Sequence, residues 1–325
     1  MSGSTISRGV TSSERVLQPP AVTAAAPQGV WVIVVNYNTA DLLERCLEAL
    51  RATQLDRPCT VFVVDNGSRD ASVALVRERF PEVVLLETGA NVGFARANNL
   101  ALRRVLAFVP EQVRRAHAVL LVNSDCFVEP ETIQRLVGVL DREPDVAVVG
   151  PKLVLPDGRL DLACRRSFPT PATALWELTG LARVFPGSRR FARYNLTFCD
   201  PDEPLDVDAV SGACMLVRLQ AVVEAGLLDE AYFMYGEDLD WAYRIKQRGW
   251  RVRYEPSARA VHVKGGSWGR RDPRVLWEFY RAMALFYRRH YAAHQPVLLR
   301  WLVYAGIGMR FGVALLGLVV RRLVH

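Results

Sequence analysis

The chain has 325 residues, 50% hydrophobic and 23% charged, a length for one large or two ordinary domains. That composition excludes wholesale disorder, collagen-like repeats and small disulfide-stapled scaffolds. The net charge of +7 is unevenly placed: residues 270–325 hold 10 Arg against only Asp272 and Glu278, so the body before them is close to neutral. This argues against a nucleic-acid coat and for a neutral catalytic or binding body with a basic tail.

Residues 1–29 are rich in Ser, Thr, Pro and Ala, show no secretory signal, and are expected to form a disordered leader. From Val30 the pattern changes. Val30 to Val35 is a continuous apolar run, mostly β-branched, as expected of a strand buried on both faces. A helical stretch follows at 39–51. The unit then repeats, with strands at 60–64, 83–86, 118–122 and 146–149 and helices at 71–80, 93–108 and 131–141. The alternation predicts an α/β fold: a mostly parallel, Rossmann-like sheet covered by helices on both faces. Residues 151–205 lose it, with a turn at Pro156-Asp157-Gly158. Regular structure returns in a strand at 214–217, a helix at 237–248, and strands near Val252 and at 260–263.

In such sheets ligands bind beyond the carboxyl ends of the strands. Here those ends read Asn36-Tyr37-Asn38, Asp65-Asn66-Gly67-Ser68, Asn91-Val92-Gly93-Phe94 and Asn123-Ser124-Asp125. Each alone is ordinary strand-ending and helix-capping chemistry. Four in succession predict a polar ligand site. No G-x-G-x-x-G follows the first strand and no P-loop is present, so nicotinamide chemistry has no support. Asp125 stands where a divalent cation bridging to a diphosphate could sit. His262, at the end of a late strand, is either a satisfied structural histidine or a second ligand. Glu237, Asp238 and Asp240 put three carboxylates in four positions at a helix start, more than capping requires; one facing a cleft would be a general base. Six scattered cysteines, with no C-x-x-C pair, suggest a reducing compartment and no structural zinc.

These segments, together with Asn91-x-Gly93-Phe94-Ala95-x-x-Asn98-Asn99, Ser211-Gly212-Ala213-Cys214 and His262-x-x-Gly265-Gly266-Ser267, resemble the family 2 glycosyltransferases of the GT-A fold. The similarity is to their rhamnosyltransferase-like members of bacterial surface-polysaccharide biosynthesis, and it spans roughly residues 30–292. It implies a catalytic domain over 30–270, with a nucleotide-sugar half (30–150) and an acceptor half (151–270) in which 151–205 shapes the acceptor site. The implied donor is a dTDP- or UDP-sugar, with dTDP-L-rhamnose the best guess. Asp65 would bond the pyrimidine ring, with Asn38 and Asn98 in the nucleotide pocket, Asn123 near the ribose, and Gly265, Gly266 and Ser267 beside the diphosphate. Asp125 and His262 would hold Mg²⁺ or Mn²⁺. Asn123 replaces the first Asp of the family's D-x-D motif. Asp238 would be the base of an inverting displacement, with Glu237 and Asp240 supporting it. Two alternatives are a non-catalytic nucleotide-sugar-binding module and a serine hydrolase using Ser267, since Gly265-Gly266-Ser267-Trp268-Gly269 satisfies G-x-S-x-G.

The tail, 271–325, divides in two. Residues 273–292 predict a helix with Trp277, Tyr280, Tyr287 and Tyr291 among arginines, either packed by its aromatic face on the catalytic body or serving as a membrane-interface belt. Residues 296–323 are apolar except for Arg300, Arg310, Arg321 and Arg322, which fall within an arc of roughly 120° at about 100° per residue. An in-plane amphipathic helix keeps all four at the headgroups, whereas a span would bury Arg310. The expected setting is the cytoplasmic face of the cell membrane, peripheral or monotopic. The expected acceptor is polyprenyl-pyrophosphate-linked or a glycan, the surface is anionic lipid, and no nucleic acid is involved.

Overall fold

The computed structural model of the chain describes residues 29–265 and 273–323, with side chains as far as Val319. The expected leader up to residue 28, Gly266, Ser267 and the side chains of Arg321 and Arg322 lie outside the described residues. In chain order the elements are β1 (Val30–Asn36), α1 (Ala40–Arg51), β2 (Cys59–Asp65), α2 (Ser72–Arg79), β3 (Val84–Glu87), α3 (Phe94–Phe108), β4 (Ala118–Asn123), β5 (Cys126–Val128) and α4 (Thr132–Arg142). There follow β6 (Val146–Val154), α5 (Pro171–Thr179), α6 (Leu181–Val184), β7 (Leu205–Val207), β8 (Cys214–Arg218), α7 (Leu219–Ala225), α8 (Glu237–Gln247), β9 (Arg251–His262), α9 (Pro273–His290) and α10 (Val297–Leu323).

Among the described residues one nine-stranded sheet runs β3-β2-β1-β4-β8-β6-β9-β5, with β7 also paired to β9. Strands β3, β2, β1 and β4 are mutually parallel, as the strand–helix alternation requires. Beyond β4 the sheet is mixed: β8 lies antiparallel between β4 and β6, and β9 is parallel to β6. Strand direction is not readable from composition, since a doubly buried strand is apolar either way. Strand β9 is continuous where two strands are expected, because its register with β6 slips between Pro151 and Lys152, and residues 256–258 stand out of the ladder.

The helices bury the stripe that their spacing dictates: Leu43, Cys46, Leu47 and Leu50 on α1, and Ile133, Leu136, Val137 and Leu140 on α4, both at i, i+3, i+4, i+7. Each such Leu or Ile contributes about 1.5–3 kcal/mol by leaving water. Helix α9 turns Ala282, Leu285 and Phe286 into the body. Helix α10 lies back along α9 through ring contacts of Tyr304 with Tyr287, and of Phe311 with Trp277 and Tyr280. Its segment Val297–Val319 has mean hydropathy 1.8, long and apolar enough to cross a membrane by length and composition, and none of that stretch is buried.

Candidate active site

The polar residues at the strand ends form one connected rim. Asp65, buried at the end of β2, accepts from Asn36 Nδ2 (3.4 Å) and Ser68 N–H (2.9 Å). Thr39 Oγ1 donates to Asn36 Oδ1 (2.7 Å) and meets Ser124 Oγ at 3.0 Å, which ties the ends of β1 and β4 together beside Asp125. Asn38 is an exposed turn residue in the left-handed region (φ 52°), and its Oδ1 accepts the Arg69 N–H at 2.7 Å. On the β3 side, Asn66 and Asn91 bond each other at 3.0 Å and shape the loop into α3. Gly93 opens that helix at φ 89°, where a β-carbon would stand 2.7 Å from the Phe233 carbonyl. Only glycine fits this approach, which brings the β3–α3 loop against the segment leading to α8. Asn98 is buried, with Nδ2 bonded to the Phe94 carbonyl (2.9 Å) and Oδ1 without a protein partner; the buried Oδ1 of Asn123 also lacks one.

Asp125 and His262 meet because the short β5 pairs antiparallel with the end of β9, setting Cys126 opposite His262. The Val263 N–H closes the ladder on the Asp125 carbonyl (2.8 Å). His262 Nε2 lies 3.4 Å from Asp125 Oδ1, and Nδ1 lies 2.8 Å from Asp161 Oδ2. Burial alone would lower the His262 pKa, but the two carboxylates outweigh it and hold the imidazole up at about 9. Burial would likewise raise Asp161, yet His262 and Lys264, whose Nζ is 2.5 Å from Oδ1, hold it down at about 2. The pair fits a divalent cation. Two ligands each about 2.1 Å from one ion stand about 3.0–3.4 Å apart, and a ligating imidazole takes a carboxylate on its other nitrogen, as His262 does. No group of three His, Cys, Asp or Glu is placed to hold an ion among the described residues, so phosphate oxygens would have to complete the shell. Gly265 follows Lys264 in an exposed turn at φ 95°.

Asp238 sits in the first turn of α8, entered through Tyr235 (φ 70°) and Gly236 (φ 80°). Its Oδ2 accepts from Arg166 (2.6 Å) and the Gly212 N–H (3.0 Å), and its Oδ1 from the Leu239 N–H (2.8 Å). Burial alone would lower the Arg166 pKa, but the Asp238 charge more than offsets it and keeps the guanidinium cationic. The Asn123 N–H bonds the Ala213 carbonyl (3.0 Å), so the loop that contacts Asp238 is anchored at the end of β4. Asp240 faces away from Asp238. It is held by Arg244 (2.8 Å) and His290 (2.8 Å), which fasten α8 to α9.

Glu237 is buried, its Oε2 has no protein partner, and burial followed by the Asp238 charge pushes its carboxyl up to about 8. A raised folded pKa means that stability is fully present below the unfolded value of 4.5 and is lost as pH rises through about 8. Glu237→Gln keeps the shape without the titration. Its melting temperature should therefore fall less between pH 5 and pH 8.5 than the wild type's; superimposable profiles would contradict the burial argument.

Sequence reasoning missed Asp161, Arg166 and His290, the groups that orient His262, Asp238 and α8. It also read the cysteines as scattered, whereas the fold gathers Cys46, Cys126 and Cys214 beneath Asp125 as buried thiols with raised pKa for Cys46 and Cys126.

The architecture is that of the GT-A fold. The chain aligns at TM-score 0.53 and 20% identity with a mannosyltransferase from Pyrobaculum calidifontis solved with GDP-Man and Mn²⁺, over 82% of this chain and 64% of that one. It aligns at TM-score 0.54 and 14% identity with GalNAc-T7 solved with UDP, GalNAc and Mn²⁺, over 86% of this chain and 54% of that one. The chain thus spans about half to under two thirds of those structures. Residues 27–281 match the profile described as "Glycosyltransferase like family 2". The chain is 30% identical, over 86% of its own length and 90% of the relative's, to N-acetylglucosaminyl-diphospho-decaprenol L-rhamnosyltransferase of Mycobacterium tuberculosis. It is 25% identical to the rhamnosyltransferase WbbL of Escherichia coli, over 72% of this chain and 83% of that one. The protein therefore belongs to the family 2 glycosyltransferases and is a glycosyltransferase enzyme, which displaces the hydrolase and binding-module alternatives.

Proposed function

We propose that the protein moves a sugar, L-rhamnose from dTDP-rhamnose as the first choice, from a nucleoside diphosphate donor to a hydroxyl of a polyprenyl-diphosphate-linked acceptor, with inversion. The observation that carries this reading is that two units meet at the end of β4: the Asp125–His262 pair at 3.4 Å, and the Asp238 carboxylate, clamped by Arg166 at 2.6 Å and joined to that strand end through the Gly212–Ala213 loop. The donor's base and ribose would lie on the rim of Asn38, Asp65, Asn98 and Asn123, with its diphosphate toward Gly265. Asp125 and His262 would hold Mg²⁺ or Mn²⁺, with Asp161 fixing the ring. When bound, that ion supplies Lewis-acid neutralisation of the departing diphosphate. Asp238 takes the acceptor hydroxyl proton as that oxygen bonds to the anomeric carbon and the opposite carbon–oxygen bond to the diphosphate breaks. Arg166 and the Gly212 N–H hold the carboxylate in place, while Glu237 and Asp240 shape the turn that presents it.

The relatives' names support the donor and acceptor: one acts on a decaprenol-diphosphate-linked sugar and both carry a rhamnosyltransferase name. For the tail, we favour an α10 lying in the plane of an anionic membrane on the cytoplasmic face. Its ring contacts run back along α9, and α9 is fastened to the body through His290–Asp240 and Arg289–Asp229 (both 2.8 Å). A span would have to leave those contacts. Thermal shift with a panel of nucleotide sugars plus Mn²⁺ tests the donor. dTDP-rhamnose should stabilise the protein most, and no response to any dTDP- or UDP-sugar would overturn this part of the reading.

A further inference from the structure

Residues 170–199, between β6 and β7, fold as a small lobe. Helix α5 is capped by reciprocal bonds of Thr170 and Thr173, Gly180 turns the chain into α6, and Trp176 meets Phe191 edge-on at 5.1 Å. The outer face of the lobe is basic and apolar at once. Arg183, Arg189, Arg190 and Arg193 are all exposed, and residues 181–193 contain no Asp or Glu. Some exposed arginines of the body meet carboxylates, as in Arg51–Glu82 and Arg103–Glu230 (both 2.6 Å), but among the described residues none of these four forms an ion pair, and Arg190 instead lies over the Trp176 (5.5 Å) and Phe191 (5.7 Å) rings. Between them Val184 and Phe185 are 68% and 48% exposed.

Arginines without carboxylate partners, interleaved with exposed apolar side chains, suit the boundary of an anionic bilayer, where the cations meet headgroup phosphates and the apolar groups enter the acyl edge. The root of the lobe stands beside both the catalytic carboxylate and the tail. Arg166 clamps Asp238, the Tyr194 carbonyl accepts the Ser167 N–H (2.9 Å), and Phe168 lies against Tyr243 of α8 (4.9 Å) and Phe286 of α9 (6.3 Å). We propose that this lobe is a second contact with an anionic lipid surface, in addition to α10. The inference rests on the membrane reading above. Stable attachment takes two such signals, since one weak anchor binds only marginally.

The test uses the full chain and vesicles of phosphatidylcholine, alone or mixed with phosphatidylglycerol. Replacing Arg183, Arg189, Arg190 and Arg193 together by Ala should weaken binding to the anionic vesicles by at least about tenfold, each basic residue near such a surface being worth roughly fivefold. Binding to neutral vesicles, and thermal stabilisation by dTDP-rhamnose with Mn²⁺, should not change. Val184→Asp should weaken binding to both vesicle types. Wild-type-like binding of the quadruple variant to anionic vesicles would overturn the proposal. So would loss of transfer to a water-soluble short-chain acceptor with circular dichroism unchanged, which would make the arginines an acceptor site. Saturable binding of inorganic pyrophosphate that the variant loses would likewise assign them to a free anion. A wild-type chain that binds neither vesicle would instead refute the membrane reading of α10.

Discussion

Asp238→Asn is expected to lower turnover by about 10²–10⁴-fold, the range that a positioned general base contributes, while donor affinity stays within a few-fold of wild type. The amide has nearly the shape of the carboxylate and can still meet the Gly212 N–H, but it cannot take the hydroxyl proton. It also leaves Arg166 buried without its counter-charge, so a stability cost accompanies the kinetic one. Measuring kcat and donor KM separately divides the two effects. A variant with near-normal kcat would remove Asp238 from the reaction, and the only other carboxylates of that turn are Glu237, buried with a raised pKa, and Asp240, held by Arg244 and His290.

Removal of divalent metal is the second large effect. With EDTA present transfer should be abolished, and added Mn²⁺ or Mg²⁺ should restore it. Asp125→Ala should lose metal-dependent stabilisation by the nucleoside diphosphate altogether. Asp161→Asn, which weakens the support of the His262 ring without touching the cation, should raise the metal concentration needed by roughly 10–100-fold. That graded difference separates a ligand from the group that orients it. Full activity in EDTA would refute a cation at the Asp125–His262 pair.

Much of this site is legible in the residues themselves, and the part that is not has a physical reason. Asn36, Asp65 and Asn123 announce themselves because amide and acid side chains end apolar strands where a parallel sheet presents ligands, and the connected rim through Thr39 and Ser124 follows from that placement. The carboxylates at the start of α8 stand out because they exceed what capping uses. Asp161 and Arg166 are hidden. Both lie in the stretch without periodicity, and Asp161 is 101 residues from the histidine it supports, so no spacing rule links them. The Asp125–His262 meeting depends on the three-residue β5, too short to leave a pattern, and on the direction of β8, which a doubly buried strand does not encode.

The central claim is that Asp238 and a cation held at Asp125 and His262 transfer a sugar to a lipid-linked hydroxyl. Its most direct test is one assay: dTDP-rhamnose labelled in the sugar, a polyprenyl-diphosphate-linked N-acetylglucosamine acceptor, Mn²⁺ and the full-length protein. The expected result is label passing into the lipid fraction in step with dTDP release, and in Asp238→Asn both processes slowed by at least about 10²-fold. Donor binding without transfer to the lipid, or release of dTDP at the same rate in wild type and Asp238→Asn, would contradict it.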